Sequence, residues 1–206
     1  MPDSQGKYLF SFTAASMRLS DSLKIAQNIL DNPEMLNHPD RDKILGYGKS
    51  RTNEREYREL MKRIDKFTPS QLRLYVSSDI ITQRHLLYLS ICKTYGFIRD
   101  FVIEVLREKA LVFDYNIHDG DYQSFVNRKR AIHLELENLA DSTLKKIRQV
   151  TFLILEEAGL INNSQDRVLQ LPLLSDQLIS EIKKDDTIWL KVFLWADKDI
   201  ERIKNG

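Results

Sequence analysis

Apolar residues recur along most of the chain at the spacing of a buried helix face. This face is clearest in residues 50–67, where it comprises Tyr57, Leu60, Met61, Ile64 and Phe67. The same period predicts further helices over residues 13–30, 80–95, 97–112 and 141–158. Because only Gly96 separates two strongly apolar helices, we expect those two helices to pack together at the centre of the fold.

The last third of the chain follows a different pattern. The helix at 141–158 ends at Gly159, and two short apolar stretches follow at 160–161 and 168–171, joined by the polar residues 162–167. These features predict a short β-ribbon. The order helix, helix, ribbon is typical of a winged helix-turn-helix, although it is not specific to that motif.

The whole pattern predicts an all-α, mainly helical protein folded as a compact bundle. Residues 173–184 and 186–204 supply two C-terminal helices. The length of 206 residues allows two packed halves, and we expect an N-terminal helical half over 1–115 and a C-terminal helical half over 116–206. The C-terminal half is the one expected to have winged-helix character.

Composition indicates the class of protein and the compartment in which it is expected. Hydrophobic residues make up 42% and charged residues 30% of the chain, as in an ordinary globular protein. The single cysteine, Cys92, lies in an apolar run and excludes an intramolecular disulfide. Residues 1–12 lack the pattern of a signal peptide, and there is no membrane-length apolar run. We therefore expect a cytoplasmic protein that does not associate with membranes.

The net charge is close to zero, so a basic surface would have to be local. Lys and Arg total 31 against 30 Asp and Glu, which gives a formal charge of +1. On the predicted helix at 50–67, basic residues lie on the side opposite the apolar face: Arg51, Arg55, Arg58 and Lys62. Such a stripe can contact the phosphates of a nucleic acid. It can equally be a solvated face, because Glu54 and Arg58 are spaced to form an ordinary helical ion pair.

A second basic group is predicted around the helix at 141–158. It comprises Arg128, Lys129, Arg130, Lys145, Lys146, Arg148 and Gln149. If that helix is the recognition helix of a winged motif, its first half would face the major groove of DNA. The alternative for residues 128–130 is charge complementarity with a helix C-terminus. Lys145 and Lys146 lie near a helix start, where the dipole disfavours them, and so favour a functional explanation.

The sequence offers no recognisable catalytic motif. No phosphate-binding loop, dinucleotide-binding glycine pattern or nucleophile elbow occurs, and we predict a protein that is not an enzyme and uses no cofactor. The four histidines are scattered. His118 with Asp119 and Asp121 is the only arrangement resembling a metal site, and capping and turn formation explain it better.

Four segments resemble a known family. They are KYLFSFTAASMRLSDSLKIA at 7–26, SRTNEREYRELMKRI at 50–64, QRHLLYLSICKTYGFIRDFVIEVLREK at 83–109 and DSTLKKIRQVTFLILEEAGLI at 141–161. In order and spacing they resemble the BrxA family, a small component of BREX bacteriophage-defence systems. The resemblance implies an all-helical protein, similar in shape to NusB-type antitermination factors, that is encoded with BREX genes and associated with DNA binding. It supplies no catalytic or contact residues.

Three functional hypotheses remain from the sequence. The first is a non-enzymatic accessory protein that binds double-stranded DNA through phosphate contacts, with low sequence specificity, alongside other BREX proteins. The second is a protein-protein adaptor. Its apolar surface would come from residues of the C-terminal helices that either pack internally or contact a partner: Trp189, Phe193, Trp195 and Ile200. The third is a NusB-like RNA binder, for which no aromatic stacking platform on a polar face is evident.

Overall fold

The computed structural model describes residues 6–33 and 51–205, with the side chains of residues 51–54 excepted. Within those ranges every regular element is a helix, which confirms the predicted all-α fold class. None of these helices is both long and apolar enough to cross a membrane.

The helices up to residue 111 follow the predicted periods closely. They are α1 (Leu19–Asp31), α2 (Arg51–Ile64), α3 (Pro69–Ser77), α4 (Ile80–Thr94), α5 (Gly96–Phe101) and α6 (Glu108–Leu111). A π-helical segment, Val102–Arg107, joins α5 to α6, and a 3₁₀ helix, Ser11–Ala14, precedes α1. The carboxylate of Asp79 accepts hydrogen bonds from the backbone N–H groups of Ile81 and Thr82 at 2.9 and 3.1 Å, and so caps α4.

Five further α-helices are described after residue 111. They are α7 (Asp119–Arg130), α8 (Leu134–Glu137), α9 (Asp141–Glu157), α10 (Asp176–Asp185) and α11 (Asp197–Asn205). The 3₁₀ helix Thr187–Phe193 lies between α10 and α11. Helix α9 ends where predicted, because Gly159 adopts a left-handed φ of 77° that glycine tolerates without a Cβ penalty.

The main core is built around α4, α5, α7 and α9. Aromatic rings from α5, α7 and α9 pack together: the ring centroid of Phe101 lies 5.2 Å from that of Phe125, with the rings tilted, and 5.8 Å from that of Phe152, edge to face. This cluster of buried side chains extends from Tyr8 to Ile200 and therefore crosses residue 115. The division into halves at that residue stays a prediction. A smaller apolar cluster joins α1 to α2.

The predicted β-ribbon does not form as strands in the described residues. Two isolated antiparallel bridges take its place, Ile161 with Leu169 and Asn116 with Val168. The turn takes up most of the residues between the two arms, so few are left to form a ladder. The Asn163 side-chain oxygen closes this turn by accepting a hydrogen bond from the backbone N–H of Asp166, and the turn ends at Arg167, which has a left-handed φ of 56°. The two apolar stretches correctly predicted that the arms pair, but the paired region is shorter than the predicted ribbon.

Candidate nucleic-acid interface

The predicted basic stripe on α2 lies largely on the surface. Arg55, Arg58 and Lys62 are exposed, and Tyr57 and Leu60 on the opposite face are each 1% exposed. The amphipathic period of α2 therefore places the stripe as predicted. The side chain of Arg51 lies outside the described residues.

Acidic side chains nevertheless neutralise part of this stripe. The Lys62 ammonium lies 2.5 Å from the carboxylate of Glu59, one turn earlier on the same helix. Burial alone would raise the pKa of Glu59, but hydrogen bonds from Lys62, Tyr95 and Ser11 outweigh it and lower that pKa. Glu56 pairs with Arg18 at 2.8 Å. The stripe thus offers less free positive charge than its sequence indicates.

Arg63, next to Lys62, is fully buried. Its guanidinium donates to the backbone carbonyl of Ala15 at 2.8 Å and to the Tyr95 hydroxyl at 3.3 Å. It also donates to the backbone carbonyl of Ser16. These bonds join α2 to the segment before α1 and to Tyr95 directly after α4, so Arg63 has a structural role.

The run Arg128, Lys129 and Arg130 at the end of α7 is divided by the fold. Arg128 is exposed and Arg130 is half-buried, whereas Lys129 is 5% exposed. The Lys129 ammonium lies 2.5 Å from Glu104 and 3.3 Å from Asp100, on the π-helical segment and on α5. Lys129 faces inwards because consecutive helical residues point about 100° apart, and the structure removes it from the basic surface.

The first half of α9 presents the predicted polar face. Lys145, Lys146 and Gln149 are exposed, while Ile147 and Val150 are buried on the opposite side. The Lys146 ammonium has a neutral neighbour, the Gln149 side-chain oxygen at 3.3 Å. Among the residues with described side chains, no acid lies within ion-pair distance of Lys145 or Lys146. These lysines therefore keep their charge available for a partner.

Arg148, the next basic residue of α9, has an acidic partner that the sequence did not indicate. Its guanidinium contacts the carboxylate of Asp119, the first residue of α7, and Arg167 contacts the same carboxylate oxygen. Hydrogen bonding from Arg167, with a contribution from Arg148, lowers the pKa of Asp119. Asp119 and Arg167 lie 48 positions apart, so periodicity could not place them together.

The turn before α7 forms ordinary caps and ion pairs. Asp121 accepts a hydrogen bond from the backbone N–H of His118 at 2.8 Å, and it lies 3.2 Å from the Lys109 ammonium. Across the described ranges, no group of three histidine, cysteine or carboxylate ligands is close enough to hold a metal ion. Cys92 is completely buried, and its burial raises the pKa of the thiol to about 12.

The C-terminal aromatic residues proposed for an adaptor surface lie mostly in the core. Phe193 is 1% and Ile200 is 7% exposed, and Trp189 and Trp195 pack partly buried against the same cluster. A groove of about 730 Å³ lies beside them. Its lining includes exposed apolar residues that the sequence did not single out: Leu111, Phe113 and Leu171.

Known proteins are similar to this chain in sequence or in fold. The BREX protein BrxA of Bacillus cereus (strain H3081.97) is 28% identical over 118 residues, and the match spans 56% of this chain and 59% of that relative. The crystal structure of an uncharacterized protein from Magnetospirillum magneticum superposes with a TM-score of 0.78 at 17% identity. It covers 92% of this chain and 98% of that one, and the likeness concerns the fold alone. The family model named BrxA matches residues 6–186, and the chain therefore belongs to the BrxA family.

Proposed function

We propose that this protein is a component of a BREX phage-defence system and binds double-stranded DNA through phosphate contacts. The BREX assignment is supported by membership of the BrxA family and by the name of the Bacillus cereus relative. The DNA assignment rests on one observation above the others. Lys145 and Lys146 project from the first half of α9 with no acidic partner among the described side chains.

The order of elements around α9 supports a winged-helix mode of binding. An extended segment at 115–117 precedes α7, and the arms of the turn after α9 pair with each other and with that segment. This would make α9 the recognition helix and residues 163–167 the tip of a minimal wing. One departure is the connection between α7 and α9. It spans residues 131–140 and contains α8, whereas a helix-turn-helix uses a turn of roughly three to four residues.

The exposed part of the α2 stripe, Arg55 and Arg58, is a second contact region under this proposal. Each lysine or arginine that neutralises a phosphate releases counterions and so contributes to the salt dependence of binding. We expect α9 to contribute more than α2, because Glu59 engages Lys62. Low sequence specificity follows if most contacts are made to phosphates and few to base edges.

The experiment compares two pairs of adjacent lysines by fluorescence anisotropy with a labelled duplex DNA at several salt concentrations. Lys145→Ala/Lys146→Ala should weaken binding and lower the slope of log K against log salt by about 0.9 for each lost contact. The matched control is Lys183→Ala/Lys184→Ala on α10, which removes the same charge from two exposed residues. If the two double variants lost DNA affinity equally, the loss would reflect nonspecific charge alone, and this would contradict the proposed role of α9.

A protein-protein role is a second candidate, and the groove beside Phe113 favours it. In the lining of this groove, Phe113 is 79% and Leu171 is 56% exposed, although large apolar side chains are usually covered when they cluster. Such an adaptor role is compatible with DNA binding. Replacing both residues by Ser should leave DNA affinity unchanged and abolish co-purification with other BREX proteins if the groove is an interface.

RNA binding of the NusB kind has less support. Single-stranded RNA is recognised largely by bases stacked on exposed aromatic rings, and in the described part of the chain Phe113 is the one large aromatic residue that is mostly exposed. A single-stranded RNA of equal length in the anisotropy experiment tests this alternative directly, because it should bind more weakly than the duplex DNA.

A further inference from the structure

Two arginines from separate elements meet at one carboxylate oxygen. Arg148 lies on α9 and Arg167 at the end of the turn after it, and both contact Oδ1 of Asp119 at the start of α7. One negative charge is thus shared by two positive charges. The group of three side chains keeps an excess of one positive charge.

Aromatic rings hold both guanidinium groups in place. The Arg167 guanidinium lies 5.0 Å from the ring centroid of Phe152, and that of Arg148 lies 5.9 Å from Tyr122. The Nε–H of Arg167 also donates to the backbone carbonyl of Gln165 at 3.2 Å. Because these contacts position both guanidinium groups without the help of Asp119, the arginines are preorganised to bind an anion.

Asp119 is the most exposed member of the group. Its side chain is 67% exposed, against 16% for Arg167 and 39% for Arg148. Ion pairs with such an exposed partner contribute little to stability, so a competing anion can displace the carboxylate at small cost. A phosphate diester is such an anion, since it carries a full charge and two acceptor oxygens.

The position of the group connects it to the α9 lysines. Lys145 precedes Arg148 by three residues, so their side chains lie along the same side of the helix. The site also lies at the N-terminus of α7, where the helix dipole favours a negative charge.

We infer that Arg148 and Arg167 together bind one backbone phosphate of duplex DNA, and that Asp119 occupies their site in the absence of DNA. The inference rests on the proposed DNA-binding function and adds a built-in competitor to it. Asp119 sets the affinity below the value that the two arginines would otherwise give.

The test measures binding of a labelled duplex DNA by anisotropy for Asp119→Asn. Removing the competing charge should tighten binding by about three- to tenfold, since two exposed ion pairs no longer have to be broken. The matched control, Asp199→Asn on α11, also removes an exposed carboxylate paired with an arginine, Arg202 at 3.2 Å, and should change affinity much less. Asp119→Ser provides a second neutral variant that suits a helix start, and it should show the same gain.

A double-mutant cycle tests whether the two arginines account for the gain in DNA affinity of Asp119→Asn. Arg167→Ala should weaken DNA binding, and Asp119→Asn should no longer tighten it in the Arg148→Ala/Arg167→Ala background. If the wild type binds DNA but Asp119→Asn behaves like Asp199→Asn, the inference is overturned while the role of Lys145 and Lys146 stands. If neither the wild type nor the Asp119 variants bind DNA, the proposed function itself fails.

Discussion

On α2, Lys62 is held by a carboxylate of its own helix, whereas on α9 the exposed Lys145 and Lys146 have no acidic partner among the described side chains. Both helices have the same kind of sequence pattern, with basic residues on one side and an apolar face on the other. The difference arises from the acid Glu59, which lies one turn before Lys62 and is itself only 3% exposed. A basic stripe therefore offers most free positive charge where the fold leaves its cations without acidic partners.

The same comparison applies within single runs of basic residues. Lys129 is buried between two exposed or half-exposed neighbours on α7, and Arg63 is buried beside the exposed Lys62 on α2. Each buried cation joins its helix to other parts of the molecule. We therefore expect substitution of the buried members to affect stability, and substitution of the exposed members to affect binding.

The largest effect is expected at Lys129. Lys129→Ala removes one of the two cations paired with the buried carboxylate of Asp100, and loss of one partner of a buried ion pair costs about 3–5 kcal/mol of unfolding free energy. The lower end applies, because Tyr8 and Arg99 still donate to Asp100. Urea unfolding measures the change. The neighbouring variant Arg128→Ala should fall within about 0.5 kcal/mol of wild type, and equal destabilisation of the two would contradict the distinction.

A smaller loss of stability is expected at Arg63. Arg63→Met keeps much of the side-chain volume but leaves the carbonyls of Ala15 and Ser16 without their donor, at a cost of about 2 kcal/mol. Thermal unfolding followed by circular dichroism measures the loss. Arg55→Met on the exposed side of α2 is the control and should melt close to wild type. An unaltered melting temperature for Arg63→Met would show that water replaces the lost donors.

Periodicity predicted the helices well because their apolar faces are local patterns. It could not predict the burial of Lys129, whose acidic partners Asp100 and Glu104 lie 29 and 25 positions earlier in the chain. The contact between Asp119 and Arg167 was not predicted for the same reason. For the C-terminal apolar residues the sequence left internal packing and an interface open, and tertiary packing covers Phe193 and Ile200. Leu111 and Val112 are exposed, although the pattern predicted them as the end of a core helix over 97–112.

The smallest expected effect is a change in the pH dependence of stability when Glu59 of α2 is replaced. The pKa of Glu59 is lowered in the folded protein by its hydrogen bonds, despite the opposing effect of burial. A carboxyl group with a depressed folded-state pKa stabilises the protein above its unfolded pKa, and this contribution is lost as pH falls through the folded pKa. Glu59→Gln should therefore melt below wild type at pH 7, and the difference should shrink as the pH falls below the ordinary value of 4.5.

The control for this pH dependence comes from α9. Lys145→Ala removes a charge that has no acidic partner among the described side chains, so its melting temperature should follow that of wild type across the same pH range. Differential scanning fluorimetry between pH 7 and about pH 3.5 covers the relevant window, because the ordinary glutamate pKa of 4.5 lies inside it. If Glu59→Gln also runs parallel to wild type over this range, the Glu59 carboxylate does not stabilise the fold. Lys62 would then be as available for a phosphate as the lysines of α9.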